Sequence, residues 1–397
     1  MYDRLPVLKK RSRRLSRGEL QGRARSAILG GFVLFALLQI GLRGLIDEQQ
    51  PELRDPTFEI KYRRFVLVKN ACPTPPTTVL FMGSSITGHG AKADMVDQPM
   101  SSALGRPVVG FNLAVNGAGP LTQLLYLQRL LQRGAKPDLV VLELSPIFFD
   151  QLGDPHDVAH FPGYVLSGLD LPTVERYARQ PGEVRHEWWE SQLVPIHGHR
   201  LTILNYSAQA FVPFADRLEL WHDADAHGWR RRAPPDPDKH REILKQTSSV
   251  LGPRLAQYKV AEKQIRTLRD VAALLAKERI PTIMVWMPEG PALRAMYARG
   301  AIEALRAEFS ALSRQHGFSL IEARAWLGEE MLVDSYHLHE GGAVAFTDRL
   351  LREAIAPALA GPFESYRSKH AGAGVFQLFS AYRWDGRFVF SGLYSTR

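Results

Sequence analysis

The sequence predicts a three-layer α/β/α domain on a mainly parallel five-stranded sheet, with a helical insertion and one N-terminal transmembrane helix. Two observations predict the sheet: five short apolar runs rich in β-branched residues, and amphipathic segments of helical length between them. A third is the hydrophobic share of 45% in a chain of 397 residues, which is enough for a real core and excludes a disordered protein.

Positive charge is concentrated at the N-terminus. Residues 1–26 hold nine basic side chains against two acidic ones, a net charge of +7 out of the chain's +9, so +2 remains for the other 371 residues. A basic protein of this kind need not bind nucleic acid, because its charge is local. We expect residues 1–26 to form a basic cytoplasmic tail, and we expect no nucleic-acid partner.

A charge-free segment of sixteen residues, 27–42, follows directly. As a helix it would cover about 24 Å of the roughly 30 Å hydrocarbon core, and flanking arginines would complete the span by snorkelling. No small-residue cleavage site follows it, so residues 27–46 are interpreted as an uncleaved anchor. The positive-inside rule then predicts a single-pass protein with a cytoplasmic N-terminus and an extracytoplasmic, periplasmic domain. The alternative is a buried core helix after a basic tail.

Residues 47–76 are rich in charge and proline and are interpreted as a membrane-proximal linker, with one helix or strand near 58–68. The single cysteine, Cys72, lies in this segment and cannot form an intramolecular disulfide. Histidine and cysteine spacing indicates no metal site, and we expect neither a metal nor an organic cofactor.

The compact domain is predicted over residues 77–360. Its strands are expected at 77–82, 108–113, 138–145, 281–287 and 318–323, and its helices at 121–133, 257–279, 301–315 and 342–356. Between residues 150 and 251 this rhythm stops, and an insertion there is expected to form either a lid over the site or a helical packing layer. The tail, residues 361–397, has no assigned role.

Two short motifs carry the chemistry. Gly83-Ser84-Ser85 closes the first predicted strand, and Asp334-Ser335-Tyr336-His337 lies near the C-terminal end of the domain. A hydroxyl at a strand end, an imidazole, and a carboxylate three residues before that imidazole are the parts of a serine nucleophile system. The alternative is a turn serine and a chance Asp-x-x-His.

With these motifs and residues 112–119 (Asn-Leu-Ala-Val-Asn-Gly-Ala-Gly), the chain resembles the SGNH hydrolase superfamily, the GDSL-like esterases and acyltransferases. The resemblance implies a flavodoxin-like sheet with Ser85 as nucleophile, His337 as general base and Asp334 as its orienting carboxylate. It also implies an oxyanion hole from the N–H groups of Ser85 and Gly117, with the side-chain amide of Asn116 as a further donor. The aspartate that commonly precedes the nucleophile is Ser84 here.

The third strand departs from that pattern. The family commonly has Gly-x-Asn-Asp after it, whereas this chain reads Leu-Ser-Pro-Ile-Phe-Phe-Asp over residues 144–150, which leaves the third oxyanion donor open. This segment resembles the membrane-anchored branch typified by the D-alanyl transfer protein of lipoteichoic acid synthesis.

The expected function is a membrane-anchored serine esterase or O-acyltransferase that acts on acyl esters of cell-envelope glycans. Its partners would be an acylated glycan or another ester, the membrane through the N-terminal helix, and a membrane acyltransferase. The competing hypothesis is a catalytically weak binding or assembly protein for envelope polysaccharide, which the missing asparagine makes plausible. Acyl donor, acceptor and oligomeric state are not readable from the sequence.

Overall fold

A five-stranded sheet forms the centre of the computed structural model, which describes residues 16–151, 157, 159–213, 217–218 and 223–360. Its order is β2-β1-β3-β4-β5 and every neighbouring pair is parallel. The predicted fold class is confirmed, and all five strands end within one residue of their predicted bounds. They are β1 (Thr77–Met82), β2 (Val108–Asn112), β3 (Leu139–Leu144), β4 (Thr282–Trp286) and β5 (Ser319–Glu322).

The described helices before β4 are α1 (Arg17–Gly44), α2 (Pro56–Asn70), α3 (Ser85–Gly90), α4 (Asp97–Leu104), α5 (Pro120–Gln132), α6 (Leu171–Tyr177), α7 (Pro181–Leu193), α8 (Pro195–Gly198), α9 (Arg200–Ala208), α10 (Pro237–Leu255) and α11 (Glu262–Lys277). Those after it are α12 (Pro291–Arg294), α13 (Ala301–His316), α14 (Glu340–Leu350) and α15 (Ala356–Ala360).

The sheet is buried on both faces. Leu80 and Met82 of β1 belong to the core that also holds α2, α5, α11 and α13, whereas Val79 and Phe81 belong to the core beneath α4 and α14. Alternate residues of one strand point to opposite faces, so two cores on one sheet make three layers.

Helix α11 is shorter than the predicted 257–279. Val260 forms an antiparallel bridge with Asp150, and the N–H of Ala261 donates to Phe149 O at 2.7 Å. These contacts and that of Gln151 N with Lys259 O hold the backbone of residues 259–261 beside residues 149–151, so the helix begins at Glu262.

Residues 47–76, predicted to be a linker, instead contribute to the folded domain. Helix α2 is capped by Asp55, whose side chain accepts from Phe58 N, and it buries Phe58 and Phe65 in the core. Its Glu59 pairs with Arg133, the residue after α5. The helix or strand predicted near 58–68 is thus a helix, and charges expected in a linker form its cap and an ion pair.

Helix α1 leaves most of its apolar side chains exposed. It is the one helix, among the residues that the structure describes, that is long and apolar enough to cross a membrane. The described part of the insertion predicted over 150–251 contains α6 to α10 and non-helical segments such as 223–236, and α10 continues to Leu255. The predicted roles of residues 1–15 and of the tail, 361–397, lie outside the described residues.

Candidate active site

A tight strand-to-helix turn places Ser85 at the carboxyl edge of the sheet. Strand β1 ends at Met82, Ser84 is the N-cap residue, and Ser85 is the first residue of α3. The Oγ of Ser84 accepts from Ile86 N at 3.1 Å. Gly83 must lack a side chain, because a Cβ there would lie 2.2 Å from Glu143 Oε2.

Glu143, buried on the central strand β3, directs its carboxylate into this turn. Its Oε1 accepts from the hydroxyl of Ser84 at 2.7 Å. Its Oε2 accepts from the N–H groups of Ser84 (2.7 Å) and Thr87 (3.1 Å) and from the hydroxyl of Thr87 (2.6 Å). A carboxylate has only acceptors, so these four donors compensate its burial and fix the backbone on both sides of Ser85.

Ser85, His337 and Asp334 form one hydrogen-bonded chain. His337 Nε2 lies 2.8 Å from Ser85 Oγ, and His337 Nδ1 lies 2.8 Å from Asp334 Oδ2. Because a carboxylate can only accept, Nδ1 carries the proton and Nε2 is the acceptor for the serine hydroxyl. This is the tautomer that a general base needs to activate a serine.

The loop before His337 holds the carboxylate rigidly. The backbone N–H of His337 donates to Asp334 Oδ1 at 2.8 Å, so both carboxylate oxygens are engaged by the same residue. Ser335, which lies between Asp334 and His337 in the chain, has a φ of +69°, a conformation that costs a non-glycine residue about 1–3 kcal/mol. Its carbonyl accepts from Gly290 N at 2.7 Å and its hydroxyl donates to Glu329, and these contacts hold the strained turn.

The environment keeps Asp334 ionised. Burial opposes its charge, but the hydrogen bonds and charge of His337 and the charge of Arg232 outweigh burial, so the pKa of Asp334 lies below its ordinary value. Arg232 Nη1 lies 3.3 Å from Asp334 Oδ2. An ionised Asp334 can hold the imidazole in place and stabilise the imidazolium that forms during proton transfer.

One backbone hydrogen bond joins the turn before Ser85 to the segment that carries the predicted oxyanion donors Asn116 and Gly117. The N–H of Val115, the residue before Asn116, donates to Gly83 O at 2.9 Å. Gly117 has a φ of +70°, which only glycine adopts easily. Ser84, Ile86 and Thr87 all have acceptors for their N–H groups, whereas the N–H of Ser85 has none among the described residues. The first N–H of the helix is thus left for a ligand.

Asn116 is held by the insertion. Its Oδ1 accepts from Arg230 Nη1 at 3.0 Å, so the side-chain oxygen faces the arginine and the predicted donor role falls to the amide nitrogen. On the other side, His160 Nε2 lies 3.0 Å from where a Cβ on Gly117 would stand. Insertion residues therefore enclose the segment that carries the oxyanion donors.

Residues 229–232, here called the arginine strap, cross the nucleophile's helix. The N–H of Arg230 donates to Gly88 O at 3.0 Å and the indole N–H of Trp229 donates to His89 O at 2.7 Å. The N–H of Glu340 donates to Arg232 O at 2.8 Å. The strap thus joins α3 to the start of α14, and it brings Arg230 to Asn116 and Arg232 to Asp334.

His89 packs behind His337. The two rings meet edge to face with centroids 5.6 Å apart, and His89 Nδ1 lies 2.9 Å from Arg230 O. Burial lowers the pKa of His89 to about 4, aided by the charges of Arg232, His337 and Arg230 and opposed by its hydrogen bond to Arg230 O. A neutral His89 supports the ring of His337 without adding a competing charge.

Ser145 follows β3 directly, in the segment where the resemblance leads one to look for an asparagine. It is buried, and its Oγ has no hydrogen-bond partner among the described residues. The same is true of the Oε1 of Gln123, whose Nε2 donates to Glu143 O at 3.4 Å. The third oxyanion donor therefore stays open.

Sequence reasoning named the residues that this structure joins in one hydrogen-bonded chain, but it missed two supports. Glu143 is buried at the centre of the sheet and caps the turn before α3. A glutamate inside an apolar strand was the available signal. The arginine strap was unreadable, because nothing local links residues 229–232 to Asp334. Within the described part of the chain, no group of three or more His, Cys, Asp or Glu side chains could hold a metal.

Comparison with known proteins identifies no family. No protein-family model matches the sequence, and no curated protein matches it. Among solved structures, similar ones include the psychrotrophic esterase EstA from Pseudoalteromonas sp. (TM-score 0.34, 11% identity, 71% of this chain and 98% of that chain). TesA (0.33, 13%, 72% and 99%) and a catalytic mutant of the acetylxylan esterase Axe2 from Geobacillus stearothermophilus (0.33, 12%, 70% and 93%) are others. The site is therefore assigned from its own geometry.

Proposed function

We propose that the protein is a membrane-anchored, extracytoplasmic serine esterase or O-acyltransferase of the SGNH type that acts on acyl esters of cell-envelope glycans. The hydrogen-bonded chain Ser85–His337–Asp334 at the carboxyl edge of the sheet is the observation that carries this proposal. Ligands of parallel sheets bind at this edge, because loops from several strands converge there.

The reaction follows from the donors and acceptors on hand. As Ser85 Oγ attacks the acyl carbonyl carbon, its proton passes to His337 Nε2, and the oxyanion is bound by the N–H groups of Ser85 and Gly117. The tetrahedral intermediate collapses when His337 returns the proton to the leaving alkoxide. A water or a glycan hydroxyl then attacks the acyl-serine, His337 takes its proton and returns it to Ser85, and no metal or cofactor is needed.

The compartment is inferred from the N-terminal segment. A basic flank before α1 favours a cytoplasmic N-terminus, which places the catalytic domain outside, facing envelope polymers. A membrane acyltransferase that delivers the acyl group is the partner that an O-acyltransferase of this kind would need. A phosphatase fused after residue 50 should be active only outside the membrane; cytoplasmic activity would contradict this topology.

Covalent labelling tests the nucleophile. The full-length protein in detergent should react with a fluorophosphonate probe at Ser85, and Ser85→Ala should abolish labelling. Ser84→Ala is the comparison: the Ser84 hydroxyl donates to Glu143 and caps α3, so its loss should slow labelling but leave Ser85 able to react. If wild type labels no better than Ser85→Ala, the enzyme proposal fails and the protein is better described as a weak binding or assembly protein for envelope polysaccharide.

A further inference from the structure

The insertion contacts α1 near the C-terminal end of its charge-free segment, residues 27–42. Ile196 N, in α8, donates to Gln39 Oε1 of α1 at 3.2 Å, and Gln39 is buried by this contact. Gln39 precedes Arg43, the first charged residue, by four positions, or about 6 Å along a helix. If α1 spans a bilayer, α8 therefore lies at the depth of its interface.

Large apolar side chains are exposed on α8 and on the helices before and after it in the chain. They stand on three consecutive short helices, α7 to α9, and here they are called the apolar patch: Trp189 (52% exposed), Leu193 (69%), Ile196 (50%), Leu201 (40%) and Leu204 (41%). Trp189 and Leu193 share one face of α7 at a spacing of four, and Leu201 and Leu204 share one face of α9 at a spacing of three. A grouping of this kind marks an interaction surface, unlike single exposed apolar residues.

The helices that carry the patch pack tightly against the rest of the insertion. A Cβ on Gly163 would lie 2.4 Å from Trp188 N of α7, and one on Gly198 would lie 2.9 Å from the Cβ of Ser191. The insertion is also bound to the catalytic domain, since Asp157 accepts from the N–H groups of Gly119, Leu121 and Thr122 at the start of α5. The patch is thus a fixed surface.

We propose that the apolar patch docks on the lipid bilayer at the outer interface, beside the exit of α1. This inference rests on the proposed anchor. The bilayer is the occupant because α1, which contacts α8, would already place the patch at that level. Trp189, which is half exposed, suits the headgroup boundary, where tryptophan is enriched. Docking would hold the catalytic site at one height above the membrane.

Spin labelling of the full chain in phospholipid vesicles tests the proposal. Cys72 is the single cysteine, so Cys72→Ser gives a background into which Leu193→Cys and Ile196→Cys are introduced one at a time. Phe32→Cys reports the anchor. Val250→Cys is the matched control, because Val250 is an equally exposed apolar residue on α10, and α10 packs against α12. Collisions with oxygen and with a water-soluble nickel chelate are then compared.

The expected result is that labels at 193 and 196 favour oxygen over nickel, as does the label at 32, while the label at 250 favours nickel. If 193 and 196 match 250 while 32 favours oxygen, the patch faces water and this inference alone is overturned. Labels at 193 and 196 shielded from both reagents would indicate a protein partner and also overturn it. Access of the nickel chelate to the label at 32 would show that α1 is not in the bilayer, which would overturn both the proposed anchor and the proposed docking of the patch. The serine-labelling result would be unaffected.

Discussion

At the scale of single residues, the two hydrogen bonds between Asp334 and His337 determine whether Ser85 can react. Asp334→Asn should lower the second-order rate of fluorophosphonate labelling by about 10²–10⁴, because an amide that donates to Nδ1 leaves the proton on Nε2, the wrong tautomer. The Ser85 hydroxyl then has no acceptor. Labelling rates of purified full-length variants measure this directly.

Arg232→Gln is the matched control for Asp334→Asn. It removes a 3.3 Å contact to the same carboxylate but keeps the carboxylate itself, so the labelling rate should change less than tenfold. A labelling rate of Asp334→Asn within tenfold of wild type would contradict the assigned role of Asp334.

Gly117 combines a backbone constraint with a catalytic position. Gly117→Ala should lower the labelling rate at least tenfold, because a Cβ there would stand 3.0 Å from His160 Nε2 and the backbone has a φ of +70°. The N–H would then move away from the oxyanion. Melting temperature and labelling rate are measured together.

Gly134 separates strain from catalysis. It has a φ of +69°, but a Cβ there would meet nothing within 4 Å. Gly134→Ala should therefore cost about 1 kcal/mol of stability without slowing labelling. Equal loss of labelling in both variants would mean that Gly117 acts through stability alone.

At the scale of elements, the turn between β1 and α3 depends on a strand that is distant in sequence. Glu143→Gln should slow labelling about 10–100-fold and lower stability by about 1–3 kcal/mol, because an amide nitrogen would face N–H and O–H donors that the carboxylate now accepts. Labelling rate at matched folded fraction, judged by circular dichroism, is the measurement.

A rescue variant distinguishes positioning from general damage. Ser84 Oγ lies 2.7 Å from Glu143 Oε1, so Ser84→Asp combined with Glu143→Ser moves the carboxylate to the other side of the same contact. The double variant should label at least tenfold faster than Glu143→Ser alone, which is a measurable coupling between the two sites. Additive losses would show that the carboxylate does not position the turn.

Strands and helices could be predicted from the sequence where their hydrophobic pattern matches their burial in the structure. The strands are apolar and flanked by turn residues, and parallel strands bring their carboxyl ends to one edge, so Ser85 and Gly117 could be expected there. An element near 58–68 was predicted, but the packing of α2 into the domain was not, because Asp55 and Glu59 look like solvated charge until their partners, Arg129 and Arg133, are known. Pairing over more than seventy residues leaves no local signal.

At the scale of the whole molecule, the insertion is the element that joins the site to α1. Asp157 caps α5, the arginine strap crosses α3, and Ile196 contacts Gln39. Its sequence has no sheet-forming rhythm, so its role could be predicted only as a lid or a packing layer; in the structure its described residues contact α5, α3 and α1.

The contact between the insertion and the start of the domain also predicts a pH effect. Burial lowers the pKa of His199 to about 4, aided by the charge of Arg54 and opposed by Asp47 and a hydrogen bond to Leu53. Below the unfolded value of about 6.5, the unfolded chain binds a proton there that the folded chain excludes. His199 therefore favours folding above pH 6.5, and this contribution is lost as the pH falls toward 4.

The pH dependence of wild-type stability alone would not isolate this effect. Burial raises the pKa of Asp97 to about 6, so protonation of Asp97 favours the folded state as the pH falls through the range in which His199 disfavours it. The difference between wild type and His199→Gln cancels such groups. Between pH 7 and pH 4, wild type should lose about 1–3 kcal/mol of unfolding free energy relative to His199→Gln, measured by denaturant unfolding of the full chain in detergent.

His186→Gln, at an exposed position, is the control for His199→Gln, and the pH dependence of its stability should follow that of wild type. A pH-independent difference would mean that His199 is not excluded from protonation by the fold, and that the insertion packs less tightly on the domain than its contacts indicate.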